Sequence, residues 1–111
     1  MEWQDFAAEI SECEFSEIVN NSHEVVVVHF YAEWCMPCLM MSPIIEELAQ
    51  NMKKVNFNKI NIEDNKDLAK KFKISCIPCI IIFKKGCEVN RLTGVQTSDL
   101  IQEKIMELLN E

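Results

Sequence analysis

Seven consecutive residues, Val25-Val26-Val27-Val28-His29-Phe30-Tyr31, do most to limit what this chain can fold into. They are β-branched or aromatic almost throughout and show no alternation of apolar with polar side chains. That pattern predicts a strand buried on both faces at the centre of a sheet, and such a strand needs a covering layer on either side. From Cys35 to Met52 the apolar positions Met41, Ile45, Leu48 and Met52 recur at three- and four-residue intervals. This predicts a helix that lays one stripe on the sheet, with Pro43 kinking it.

The rest of the chain supplies the other layer and the sheet's remaining strands. Ala7 to Ile10 reads as a short strand, and Ser11-Glu12-Cys13-Glu14 has the capping-box arrangement that opens a helix through about Asn20. Its apolar face is Phe15, Ile18 and Val19. Val55 to Ile62 reads as a strand, Asp64 to Lys73 as a short helix on Leu68, Ala69 and Phe72. Ile80 to Phe83 and Glu88 to Leu92 flank Lys84-Lys85-Gly86-Cys87, which predicts a hairpin with glycine at the turn. Thr97 to Leu109 ends the chain as a helix capped by Thr97 or Ser98, with Ile101, Ile105 and Leu108 as its stripe. The order specifies an α/β domain with a mixed central sheet covered on both faces. With two glycines and three prolines in 111 residues there is little material for linkers, so residues 1–111 are expected to form one domain.

Charge excludes one class of partner. Lysine and arginine number 11 against 18 acids, a net charge of −7, and no basic cluster offers the phosphate neutralisation that nucleic acid requires. The beginning, Met1-Glu2-Trp3-Gln4-Asp5, is acidic where a signal peptide would be basic, and the apolar run from Val25 to Val28 is too short to cross a bilayer. A cytoplasmic protein without membrane association is the expectation. Six cysteines in a reducing compartment then point to metal binding or redox catalysis rather than to a disulfide framework.

Trp34-Cys35-Met36-Pro37-Cys38 follows the buried strand and opens the long helix, the context in which two cysteines separated by two residues read as a redox pair. Cys35 at the helix start faces unpaired amides and the positive end of the macrodipole, both of which favour thiolate, the form that attacks a disulfide. Cys38 returns one turn later, within reach of the sulfur of Cys35. Pro37 costs little there, because its missing amide proton would have no intrahelical partner.

The stretch Phe30-Tyr31-Ala32-Glu33-Trp34-Cys35-Met36-Pro37-Cys38 resembles the active-site segment of the thioredoxin family, with methionine where glycine is usual. Pro43 resembles that family's helix-kinking proline, Lys59-Ile60-Asn61-Ile62 its middle strand, Ile77-Pro78 its cis-proline loop and Gly94 the glycine after its last strand. The likeness runs from about Ile10 to Leu109. It implies the thioredoxin fold and reduction of protein disulfides by dithiol–disulfide exchange, Cys35 attacking and Cys38 resolving, with no cofactor of its own. It also implies a flavoprotein thioredoxin reductase as electron donor and a substrate groove bordered by Trp34, Met36, Pro37, Ile77, cis-Pro78 and Gly94; a monomer is the expectation, with the oligomeric state left open by the sequence.

Three features depart from the family pattern. His29 stands where the family has a buried aspartate that assists proton removal from the resolving thiol, and Lys59, the usual partner of that aspartate, should push the histidine's pKa down and leave it neutral at pH 7. A buried histidine can relay a proton to and from Cys38, or can simply be part of the strand. Met36 brings no positive charge to the thiolate, which suits a reductant better than a strong oxidant. Cys76-Ile77-Pro78-Cys79 adds a second pair of thiols, expected to converge with the first. Four thiolates would be able to hold zinc or an iron–sulfur cluster, so a metal-binding protein using Cys35, Cys38, Cys76 and Cys79 is the alternative reading. A regulatory role for Cys76 and Cys79, or none, also stays open. Cys13 and Cys87 read as half-buried small residues, and Met40, Met41 and Met52 as packing positions on the core and helix face.

Overall fold

The computed structural model describes residues 7–21 and 24–110, so the acidic start from Met1 to Asp5 lies outside the described residues. The Val25–Tyr31 run forms strand β2 and takes the central place that its composition predicts. Strands β1 (Ala8–Glu9), β3 (Val55–Asn61), β4 (Cys79–Lys84) and β5 (Cys87–Thr93) complete a sheet of order β1-β3-β2-β4-β5. β2 runs parallel to β3 and antiparallel to β4, and β4 and β5 form the hairpin. Helices α1 (Glu12–Asn21), α2 (Met36–Asn51), α3 (Lys66–Lys71) and α4 (Ser98–Leu109) supply the two covering layers.

Side chains leave a strand alternately to its two faces, and β2 shows the division directly. Val25 and Val27 pack with Met41, Ile45 and Leu48 of α2 and with Ile101, Ile105 and Leu108 of α4. Val26, Val28 and Phe30 pack with Phe15 and Val19 of α1 and Leu68 of α3. Phe15, Phe72 and Phe83 close the second layer edge to face, with centroids 5.2 to 5.7 Å apart. Both helical stripes expected from periodicity, on α2 and on α4, therefore bury where the pattern places them.

The differences from the sequence reading lie at element ends. β1 is shorter than Ala7–Ile10 because the Ala7 amide donates to the Glu46 carboxylate of α2, at 2.8 Å, instead of to a neighbouring strand. At α1 the capping box is half made. Glu14 accepts from the Ser11 amide at 3.2 Å, but the Ser11 hydroxyl donates to that same carboxylate rather than accepting from the helix. The amide of Glu12 is satisfied instead by Asn65 Oδ1 at 2.9 Å, and Glu12 Oε1 in return accepts from Leu68 N at 3.3 Å. Two helix starts far apart in sequence thus cap each other, and α3 is trimmed at both ends relative to Asp64–Lys73. The hairpin turn is the two-residue Lys85-Gly86, both with positive φ (54° and 81°), the geometry whose twist matches the flanking strands. Cys87 consequently belongs to β5 rather than to the turn. α2 continues through Pro43 as one helix.

Candidate active site

Cys35 is the N-cap of α2, in extended backbone conformation, and its Sγ accepts from the Cys38 amide at 3.2 Å. Met36 and Pro37 are the first two helical residues, where the absent proline N–H leaves no bond broken. The reacting sulfur thus sits where a helix presents unpaired amides, and a hydrogen bond from an amide is stronger to an anionic sulfur than to a neutral one. Cys35 is 5% exposed and Cys38 is buried beneath it, the two packing with Ala32, Tyr31, Ile62 and Ile77. Burial pushes the Cys38 thiol up to about 12. Its hydrogen bond with Cys35 and the charge of that neighbour act in the same direction, and a backbone hydrogen bond at Ala32 opposes them. Cys38 therefore keeps its proton at neutral pH until it is called on to attack.

Two loops frame Cys35. Ile77-Pro78 is a cis peptide, and the Ile77 carbonyl lies 3.9 Å from Cys35 Sγ. The Gly94 amide donates to the Pro78 carbonyl at 2.8 Å, which joins the loop after β5 to the loop before β4. Gly94 has φ of +79° with open space around its Cβ position, so it is the backbone conformation, not crowding, that calls for glycine there. Two residues on, the Gln96 amide donates to Met41 Sδ at 3.3 Å and ties this loop to α2. On the remaining side Trp34 stands well exposed, its Nε1 donating to Glu63 at 2.8 Å. Trp34, Met36, Pro37, Ile77, Pro78 and Gly94 thus all belong to the segments that surround the sulfur.

His29 lies on the α2 side of β2, one pleat beyond Val27, opposite Lys59 of β3 and Ile80 of β4. It is 1% exposed, and its Nε2 has no partner among the described residues. Its ring is 5.7 Å from that of Tyr31, whose hydroxyl donates to Glu9. Burial lowers the pKa of His29 to about 4, and the charge of Lys59 adds to the effect. The direction is the one the sequence predicts, but burial is the larger cause and Lys59 the smaller.

The second thiol pair does not join the first. Cys76 is exposed in the loop, whereas Cys79 begins β4 buried with Ile81 and Phe83 in the α1/α3 layer, on the far side of the sheet from the α2 core. Burial raises the Cys79 thiol, and the guanidinium of Arg91 opposes it. Among the described residues no group of three or more His, Cys, Asp or Glu side chains gathers as a metal would need. The expected convergence fails because the strand start turns Cys79 away, and the ligand set that a metal-binding reading requires is not assembled. Cys13 and Cys87 are exposed rather than half-buried.

Comparison with known proteins fits this geometry. The family model named Thioredoxin matches residues 6–107. The chain belongs to the thioredoxin family. Thioredoxin of Chlamydia pneumoniae is 42% identical over 81 residues, 73% of this chain and 79% of that one. Thioredoxin of Rickettsia bellii is 38% identical over 98 residues, covering 86% and 93%. Among solved structures, a thioredoxin variant from Halobacterium salinarum superposes with a TM-score of 0.84 at 26% identity, over 96% of this chain and 95% of its own. Thioredoxin of Malassezia sympodialis does so with the same score at 27% identity, over 96% and 94%. The protein is a thiol–disulfide oxidoreductase of the thioredoxin type, and membership implies disulfide substrates and reductase-type partners in general. No helix among the described residues is long and apolar enough to cross a membrane.

Three side chains near the site escape sequence reasoning. Glu63, which anchors Trp34, is one of several acids after β3, and nothing in its spacing distinguishes it. Leu39 and Met40 are exposed beside the cysteines, although Met40 reads as a packing position. Helical phase carried the signal, since Met40 precedes the stripe residue Met41 by one position and so lies about 100° away around the helix.

Proposed function

We propose that the chain reduces protein disulfides with Cys35 as nucleophile and Cys38 as resolving thiol. The observation that carries this is the hydrogen bond from the Cys38 amide to Cys35 Sγ at the N-cap of α2, which brings the two residues together one helical turn apart. Cys35 thiolate attacks one sulfur of the substrate disulfide and displaces the other as thiolate, leaving a mixed disulfide. Cys38 then loses its proton, attacks Cys35 Sγ and releases the second substrate sulfur. Two electrons pass to the substrate, and the protein is left with a Cys35–Cys38 disulfide. A flavoprotein thioredoxin reductase returns the electrons.

His29 and Lys59 modulate the second step. Cys38 holds its proton firmly, and His29, whose pKa burial lowers to about 4, is too weak a base to keep that proton; its neutral ring and the Lys59 charge act instead on the polarity of the α2 side of β2. Trp34, Met36, Pro37, Ile77, Pro78 and Gly94 receive the substrate backbone. The chain acts as a single thioredoxin domain, as a monomer in the cytoplasm, and Cys76 and Cys79 take no part in turnover.

The test is reduction of insulin disulfides with dithiothreitol as electron source. Wild type and Cys76→Ser/Cys79→Ser are expected to be active and Cys35→Ser inactive. Activity that survives in Cys35→Ser overturns the assignment.

A further inference from the structure

Four large apolar side chains stand exposed within seven consecutive residues at the active site: Trp34 (67%), Met36 (68%), Leu39 (50%) and Met40 (61%). Met36 with Leu39, and Met36 with Met40, are three and four apart on α2, so these side chains are neighbours on one helix surface. Folding does not demand them. The contacts of α2 with the sheet are made by Met41, Ile45 and Leu48, and polar residues would serve equally at positions that face water. Single exposed apolar residues are ordinary, but a contiguous group marks a surface that another molecule covers.

Its position says which molecule. Met36 directly follows Cys35, and Leu39 and Met40 directly follow Cys38, so the group is continuous with the reacting sulfur. Cys35 itself is only 5% exposed, and a partner must therefore press its disulfide closely into the site to be attacked. Residues beside the partner's cysteine are then brought onto the first turn and a half of α2. Unbranched, polarizable methionines adapt to apolar side chains of differing shape.

We propose that Met36, Leu39 and Met40 form an apolar docking ridge that selects polypeptide disulfides whose cysteine is flanked by aliphatic or aromatic side chains. The inference rests on the exchange reaction proposed above and names its preferred substrate class.

Two synthetic peptides test it, each closed by one disulfide and identical except beside the cysteines, where one carries leucine and phenylalanine and the other serine and glutamine. Wild type is expected to reduce the apolar peptide with a kcat/KM about tenfold higher, the difference lying in KM. In Leu39→Gln/Met40→Gln, which keeps good helix formers at exposed positions, the preference should fall below about threefold. Equal kcat/KM for the two peptides in wild type overturns the ridge without any variant, and a preference unchanged in the double variant does so independently. Sedimentation covers the remaining occupant: concentration-dependent dimerisation of wild type that the double variant loses would make the ridge a contact between copies and overturn the proposal. Reduction of neither peptide by wild type would instead remove the exchange reading, and the ridge with it.

Discussion

Cys35 and Cys38 begin a sixteen-residue helix, whereas Cys76 and Cys79 straddle the start of a strand, and the same two-residue gap gives opposite results. On the helix it turns both side chains toward one place, so the Cys38 amide reaches Cys35 Sγ while the Cys38 thiol waits beneath it. At the strand it leaves Cys76 in solvent and sends Cys79 into the α1/α3 layer among Ile81 and Phe83. Spacing alone is therefore not chemistry. The element that carries the spacing decides whether two thiols act as one unit.

The largest effect that would break this contrast is on turnover. Cys35→Ser is expected to lower insulin reduction by at least about a thousandfold, since a hydroxyl neither forms thiolate nor attacks sulfur. Cys38→Ser should still attack but accumulate a mixed disulfide with the substrate, visible by mass spectrometry as a covalent adduct that dithiothreitol removes. Cys76→Ser/Cys79→Ser should stay within about threefold of wild type, because neither sulfur touches the reacting atoms. A thousandfold loss in that double variant would show that the second pair takes part after all.

A second contrast is between the buried ring of His29 and an ordinary solvated imidazole, and stability against pH measures it. His29, on the α2 side of the sheet, has a folded pKa of about 4 against an ordinary 6.5. Its folded value is depressed, so between these values the unfolded chain binds the extra proton and the folded chain does not. Stability contributed by keeping the ring neutral is present in full above about pH 6.5 and is lost as pH falls toward 4, by up to about 3 kcal/mol. His29→Leu should flatten this limb of the stability curve in urea titrations at a series of pH values. An acid limb as steep in the variant as in wild type would mean that carboxylates, not His29, set it. In the same variant, a changed rate of release of the second substrate sulfur in single-turnover experiments would support modulation of the Cys38 step by His29.

What the sequence made legible follows from how local each signal is. The Val25–Tyr31 run, the stripes Met41-Ile45-Leu48 and Ile101-Ile105-Leu108, and the helix-opening cysteine pair are each read within one element, and the structure places them as read. Where Cys76 and Cys79 lie relative to the first pair depends on which face of the sheet residue 79 enters, a choice of pleat that chain spacing does not carry. The mutual capping of α1 and α3 through Asn65 and Glu12, the Glu46 carboxylate on Ala7, and the Glu63 anchor of Trp34 all join residues distant in sequence. No periodicity announces them. Met40 was legible in principle, since its helical phase already excluded it from the buried stripe, and its methionine identity concealed this.

The smallest expected effects discriminate between the two members of the second pair. Cys79 is buried in a packed layer, and Cys79→Ala removes its sulfur there, a loss of about 1 kcal/mol. Cys79→Ser exchanges the sulfur for a hydroxyl that needs a partner in an apolar layer, and should cost about 1–3 kcal/mol. Cys76→Ser, in solvent, should stay within about 0.5 kcal/mol of wild type. Denaturant midpoints at constant slope measure all three. Alkylation of the native protein gives the kinetic counterpart: Cys76 should react readily with iodoacetamide, whereas Cys79, buried and with its thiol pushed up, should react only when the chain opens. If Cys76→Ser proved as costly as Cys79→Ser, Cys76 would have to be packed rather than exposed, and the contrast drawn between its loop position and the strand position of Cys79 would not hold.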